Sequence, residues 1–194
     1  MHQAERSCAH AGGHLRVRLL REEELSSRDH HRISSLLVEA FPHAAQLFSR
    51  QSWRGPRPDR RLLLEGEDGE LLAHLDYVIQ PIQVADATVE VAGVGEVAVR
   101  QGARGRGLGT RLMQELKAAL HREPVDFGLL YCLESVAGFY ERVGWTRVHQ
   151  PSRFISPETG RWMDASYPTF ILPVRAPLEA WPGEGVIDLG GMIW

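Results

Sequence analysis

Residues 96–112 read EVAVRQGARGRGLGTRL. The stretch opens on a β-branched run, Glu96-Val97-Ala98-Val99, and leads into Leu108, Leu112, Leu116 and Leu120 at a spacing of four. That spacing puts the leucines on one face of a helix spanning residues 107–121. Between the two lie Arg100, Arg104, Arg106 and Arg111, interleaved with Gly102, Gly105, Gly107 and Gly109. A strand therefore enters a helix through a turn rich in glycine and arginine.

A P-loop needs Lys-Ser/Thr after its glycines, and none follows here. A dinucleotide fingerprint needs G-x-G-x-x-G, whereas Gly105, Gly107 and Gly109 are spaced by two. A plain surface turn explains glycine in general, but not why the glycines stop where a helix starts. A pyrophosphate cradle explains both features. A helix N-terminus offers unpaired N–H groups and partial positive charge, glycine lets a phosphate approach the backbone, and arginine neutralises it from the side.

The rest of the composition narrows the setting. The chain has 194 residues, 43% hydrophobic and 24% charged, as expected of one globular domain. Its net charge of −3 speaks against nucleic acid as a partner. Cys8 and Cys132 form no CxxC pair, which speaks against a disulfide framework or a metal site and suits a reducing cytoplasm. No apolar run reaches membrane-spanning length, and MHQAERSCAHAGGH has no apolar signal core, so neither membrane nor export is expected. Residues 1–13 read as a disordered tail.

Along the chain, HLRVRLL (14–20) alternates as a strand and SSRDHHRISSLLVEAF (26–41) reads as a capped helix stopped by Pro42. A loop follows at 49–60. RLLLEGEDGELLAHLDYVI (61–79) reads as a hairpin about Asp68-Gly69, and TVEVAGVGEVAVR (88–100) as a long strand. In that strand Gly93 and Gly95 mark a bulge or a close backbone approach. Strands at 125–132, 145–149 and 166–174 and a helix at 134–143 complete a mixed α/β order, while 175–194 show little pattern. His74 reads as a satisfied structural histidine, Cys132 as a small buried hydrophobe, and Trp181 as a loop anchor.

Arg104-Gly-Arg-Gly107-Leu-Gly109 resembles the Q/R-x-x-G-x-G/A signature of the GNAT superfamily of acetyl-CoA-dependent N-acetyltransferases. ESVAGFYERVGW (134–145) is similar to that superfamily's second signature, with Ser135 where many members have Asn. The resemblance covers roughly residues 90–150 and implies an α/β (α+β) GNAT fold. Such a fold has a mixed central sheet of six to seven strands, helices on both faces, and a V-shaped splay between two central parallel strands. It implies one domain over 14–194, with 175–194 as a substrate-site tail, acetyl-CoA as cofactor, and a homodimer.

Two subfamilies resemble the remainder. Ser52-Trp53-Arg54-Gly55-Pro56-Arg57-Pro58 and Trp181-Pro182-Gly183-Glu184-Gly185-Val186-Ile187-Asp188 are similar to nodulation N-acyltransferase segments. Val97–Arg100, Phe139–Trp145, Asp164 before Phe170-Ile171-Leu172-Pro173, and a final Trp194 resemble aminoglycoside 2′-N-acetyltransferases. Four arginines at the turn suit free CoA better than a carrier-delivered fatty acyl group, so acetyl transfer to an aminoglycoside, kasugamycin among the candidates, is the favoured implication. Acylation of an amino sugar and CoA binding without transfer remain the alternatives.

The site implied by the resemblance has Glu96 as base and Tyr140 as acid. CoA is held by Val97, Ala98, Val99, Arg104, Gly105, Arg106, Gly107, Leu108, Gly109, Thr110 and Ser135. Glu96, Asp164, Glu184, Asp188 and the carboxylate of Trp194 meet an amine-rich acceptor, with Trp53 beside them. No metal is implied.

Overall fold

A computed structural model describes residues 7–8, 15–165 and 167–194. In chain order the elements are β1 (Ser7–Cys8), β2 (Leu15–Arg21), α1 (Ser27–Ala40), α2 (Ala45–Phe48), β3 (Arg60–Glu65), β4 (Leu71–Val84) and β5 (Ala87–Val99). There follow α3 (Leu108–Leu120), β6 (Phe127–Tyr131), α4 (Glu134–Arg142), β7 (Thr146–Val148), β8 (Ser152–Ile155), β9 (Trp162–Ala165), β10 (Thr169–Pro173) and β11 (Ile187–Met192). Of the expected N-terminal tail, Ser7–Cys8 pair with β2, and the remainder lies outside the described residues.

The chain divides into two compact units. One holds the described residues up to Asp76 together with Glu96–Leu116; the other holds Tyr77–Gly95 and Lys117–Trp194. In the first, β2 lies antiparallel to β3 from Arg16↔Glu65 to Arg21↔Arg60. Helix α1 starts on a reciprocal cap: the Ser26 Oγ accepts from Asp29 N at 3.1 Å and Asp29 Oδ2 accepts from Ser26 N at 3.1 Å. Its Ile33, Leu36 and Leu37 recur at helical spacing and pack with Leu20, Phe48, Leu63, Leu71 and Ala98. Burial of Ala98 turns Val97 and Val99 to the opposite face of β5, since side chains alternate along a strand.

In the second unit β5 pairs parallel with β6 from Val91↔Phe127 to Gly93↔Leu129. Beyond that register β6 runs on through Leu130 and Tyr131, paired on its other side with β10. Strand β10 also takes β7 as an antiparallel neighbour. A core of Ile82, Val84, Val91, Phe127, Leu129, Phe154, Ile171, Ile187 and Leu189 fills the unit.

The eleven strands among the described residues exceed the six to seven implied by resemblance. The additions include β8, β9 and β11. Strand β8 pairs antiparallel with β9 and parallel with β11, and β11 also pairs with the end of β4. These strands are short, and Gly190 inside β11 has φ +63°, so no alternating pattern announces them.

Candidate active site

The turn before α3 has the conformation that its glycines require. Gly105 and Gly107 have φ of +75° and +76°, where L side chains are strained, and no atom lies within 4 Å of a Cβ built on either. The first bond of the α3 ladder runs from Arg111 N to Gly107 O at 3.0 Å, so the N–H groups of Leu108, Gly109 and Thr110 precede it. Backbone donors, open approach and cationic side chains together fit a diphosphate.

The four arginines divide by role. Arg100 is bound to Glu39 Oε2 at 2.9 Å, Glu70 Oε1 at 3.1 Å and Leu71 O at 3.0 Å. Arg111 pairs with Glu115 one turn along α3 at 2.7 Å. Arg104 is exposed and donates one bond from Nε to Val99 O, and Arg106 is exposed. That leaves Arg104 and Arg106 as the outward-facing cations of the turn. Charge reversal at either should raise the acetyl-CoA KM by about tenfold and the acceptor KM far less; steady-state kinetics with each substrate varied would check this.

In the same unit Glu96 interrupts β5 with φ +48°. A non-glycine residue held there costs about 1–3 kcal/mol, and its surroundings must over-determine it. They do. Its carbonyl accepts from His74 Nδ1 at 3.1 Å, and its carboxylate lies 4.0 Å from Arg54 Nε with the side chain only 7% exposed. Burial, aided by the Asp76 carboxylate, pushes the Glu96 carboxyl up to about 8 against the pull of Arg54 and Arg61. A carboxyl raised that far can exchange its proton near neutral pH.

Beneath Glu96 lies a buried network that sequence reading missed. Arg61 is fully buried and donates to Glu22 Oε2, Ser52 O and Asp76 Oδ2, each at 2.7 Å. Burial raises Asp76 to about 6 although Arg61 opposes the rise. Trp53, assigned to the acceptor site, packs edge-on to His30 at 6.4 Å and under the Arg57 guanidinium at 5.9 Å.

Tyr140 belongs to the second unit, where it packs with Phe139, Trp145 and Phe170. Burial pushes its hydroxyl up, so it stays protonated through the neutral range. Cys132, half-buried nearby, is likewise pushed up to about 11 by burial. Ser135 is exposed in the first turn of α4.

The acceptor residues of this unit separate into groups. Asp164 on β9 and Asp188 on β11 both stand in register with Arg153 of β8, so the three share one face. Asp188 Oδ1 also accepts from Gly190 N at 2.9 Å. Glu184 is exposed, and its backbone carbonyl accepts from Gln150 Nε2 at 2.9 Å. Gln150 Oε1 accepts from Trp181 Nε1 at 2.7 Å, which fixes Trp181 as the anchor of that loop.

Trp194 lies against Gly93. A Cβ at Gly93 would fall 2.2 Å from Trp194 Cε2. The close approach expected at this glycine is made by the last residue of the sequence, just where β5 and β6 cease pairing. The Tyr131 ring lies 6.1 Å from the Trp194 indole. Trp194 Nε1, Tyr131 Oη and Ser152 Oγ are buried polar atoms without a hydrogen-bond partner. Ser152 tempers the rise that burial imposes on Tyr131, yet makes no hydrogen bond of full geometry to it. Such orphaned groups are uncommon in a folded protein and call for a partner. Only their positions in space reveal them.

The chain matches the Nodulation protein A (NodA) family over residues 13–193. It belongs to that family. Nodulation protein A of Rhizobium leguminosarum bv. trifolii is 22% identical over 191 residues, covering 91% of this NodA-family chain and 96% of its relative. An aminoglycoside 2′-N-acetyltransferase of Mycolicibacterium fortuitum is 27% identical over 168 residues, 86% of this chain and 84% of that one. Among solved structures, the GNAT family N-acetyltransferase YhbS of Escherichia coli, in complex with CoA, is similar at a TM-score of 0.61. That match has 18% identity and covers 93% of each chain. The fold of this NodA-family protein is the GNAT fold.

Proposed function

We propose that this NodA-family chain is an acyltransferase that uses acetyl-CoA to acetylate an amine, the 2′ amine of an aminoglycoside, and so confers resistance to such a drug. The observation that carries acyl transfer is the turn 104–110. There, two left-handed glycines, three N–H groups ahead of the helix ladder and two outward arginines match a CoA diphosphate. Acetyl-CoA supplies an activated acetyl thioester. Glu96 takes the proton from the attacking amine, N–H groups near Val97 hold the acetyl carbonyl oxygen, and Tyr140 gives a proton to the departing thiolate. The new bond is N–C, the broken bond C–S.

The acceptor assignment is supported by carboxylates. Asp164 and Asp188 offer carboxylates for ammonium groups on one face, either side of Arg153 on the strand between them. The indole of Trp194 packs against Gly93 at the point where β5 and β6 cease pairing. Family membership favours a second reading, fatty N-acylation of an amino sugar.

A thiol-release assay with acetyl-CoA and an aminoglycoside panel, kasugamycin included, tests the choice. Release with a drug supports the first reading. Release only with an acyl donor on a carrier protein supports the second. CoA binding without release in any pairing removes both. Tyr140→Phe should lower kcat by about 10- to 100-fold; unchanged turnover would remove the acid role.

A further inference from the structure

Glu96 occupies a left-handed backbone conformation that no glycine supplies, and the group that meets its carbonyl is the fully buried His74. The two ends of that imidazole agree on one protonation state. At Nε2 stands the cationic Arg61 Nη1, 3.3 Å away, whose two hydrogens already serve Ser52 O and Asp76 Oδ2, and a hydrogen on Nε2 would face that positive N–H group, so Nε2 is left without one. At Nδ1 stands the Glu96 carbonyl oxygen, 3.1 Å away, which only accepts, so Nδ1 must carry the hydrogen. Arg61 is in turn fixed by Glu22, Ser52 and Asp76. The chain Glu22–Arg61–His74–Glu96 therefore runs from a buried ion pair to the kink in β5.

We propose that His74 is a positioning residue for Glu96: its Nδ1–H holds the Glu96 carbonyl in the left-handed turn, and Arg61 fixes the tautomer that does so. The inference rests on reading Glu96 as the base. The charged groups facing Glu96 are Arg54 from the 49–60 loop, Asp76 from β4 and Arg61 from β3. Glu22 acts on the network through Arg61 and Asp76. Burial, then Arg61, holds the His74 imidazole well below its ordinary range, so it stays neutral where Glu96 titrates. When the carbonyl tie is lost, β5 relaxes toward an ordinary extended strand and the carboxylate turns away from its buried seat toward water.

The test pairs His74→Gln with His74→Asn. The asparagine amide donates from near the Nδ1 position, while the glutamine amide sits near Nε2. In His74→Gln, kcat should fall about 10- to 100-fold with the acetyl-CoA KM within about twofold, and the pH midpoint of kcat/KM should drop by a unit or more. His74→Asn should restore the wild-type midpoint. Carbon-13 NMR of the Glu96 carboxyl, assigned with Glu96→Gln, should show the same movement without turnover. A midpoint unmoved in His74→Gln would overturn the proposal. If Glu96→Gln proves fully active, the base assignment fails, while the carboxyl titration still reports whether His74 governs Glu96. Nitrogen-15 NMR of the intact wild-type chain needs no variant and should find His74 neutral with the hydrogen on Nδ1. The Nε2–H tautomer there would overturn the proposal.

Discussion

Glu96→Gln should lower kcat by about 10²- to 10⁴-fold and make the protein more stable at alkaline pH. Both effects come from one buried carboxyl. An ammonium substrate cannot attack until it loses a proton, and Glu96, raised to about 8 by burial, is the base assigned to receive it. The wild-type kcat/KM should accordingly rise with pH through about 8, and the variant should lose that limb. The stability effect has the opposite sense. Folded Glu96 keeps its proton up to about 8, whereas the unfolded chain releases it near the ordinary value of 4.5. Between those values the folded state binds more protons, so stability falls as pH rises through that window and is not regained above it. Glutamine is neutral throughout. Denaturant melts at pH 9 should place the variant about 1–3 kcal/mol above wild type. Equal stability at pH 9 would mean that the carboxylate is not held at the expense of the fold.

Gly93→Ala is expected to raise the acceptor KM by about tenfold while the acetyl-CoA KM changes by less than about twofold. An alanine Cβ would lie 2.2 Å from Trp194 Cε2 and 2.4 Å from Cδ2 and Cζ2, separations that no pair of carbons tolerates. The backbone of β5 is held by its pairing with β6, so the indole is the part that moves. Displacement also exposes its ring, which should redshift tryptophan emission. Because the substitution acts through Trp194, adding Trp194→Ala should cost little more, the non-additivity of two changes to one contact. Wild-type acceptor kinetics in Gly93→Ala would detach Trp194 from the acceptor site.

The strand–turn–helix at 96–112 was legible because each residue type there carries its own constraint. Glycines fall where φ is positive, leucines at a spacing of four, and a β-branched run precedes them. The hairpin about Gly69 and the cap at Ser26 were legible for the same reason, since both are decided within a few residues. The division of labour among the arginines was not. Arg100 finds its partners at Glu39 and Glu70, positions that local pattern cannot connect. Positive φ at Glu96 also escaped notice, because no glycine stands at the site and the partner of its carbonyl, His74, lies on another strand. Strands β8, β9 and β11 are built by mutual pairing of short segments, with no periodicity of their own to announce them.

The proposed chemistry depends on the backbone opening α3 gripping the diphosphate of coenzyme A. Isothermal titration calorimetry of the purified chain with acetyl-CoA would read that grip out. One site per chain with a Kd of about 1–100 µM, weakened by Arg106→Glu, is the predicted result. No heat up to millimolar acetyl-CoA, or binding indifferent to the charge at Arg104 and Arg106, would contradict it.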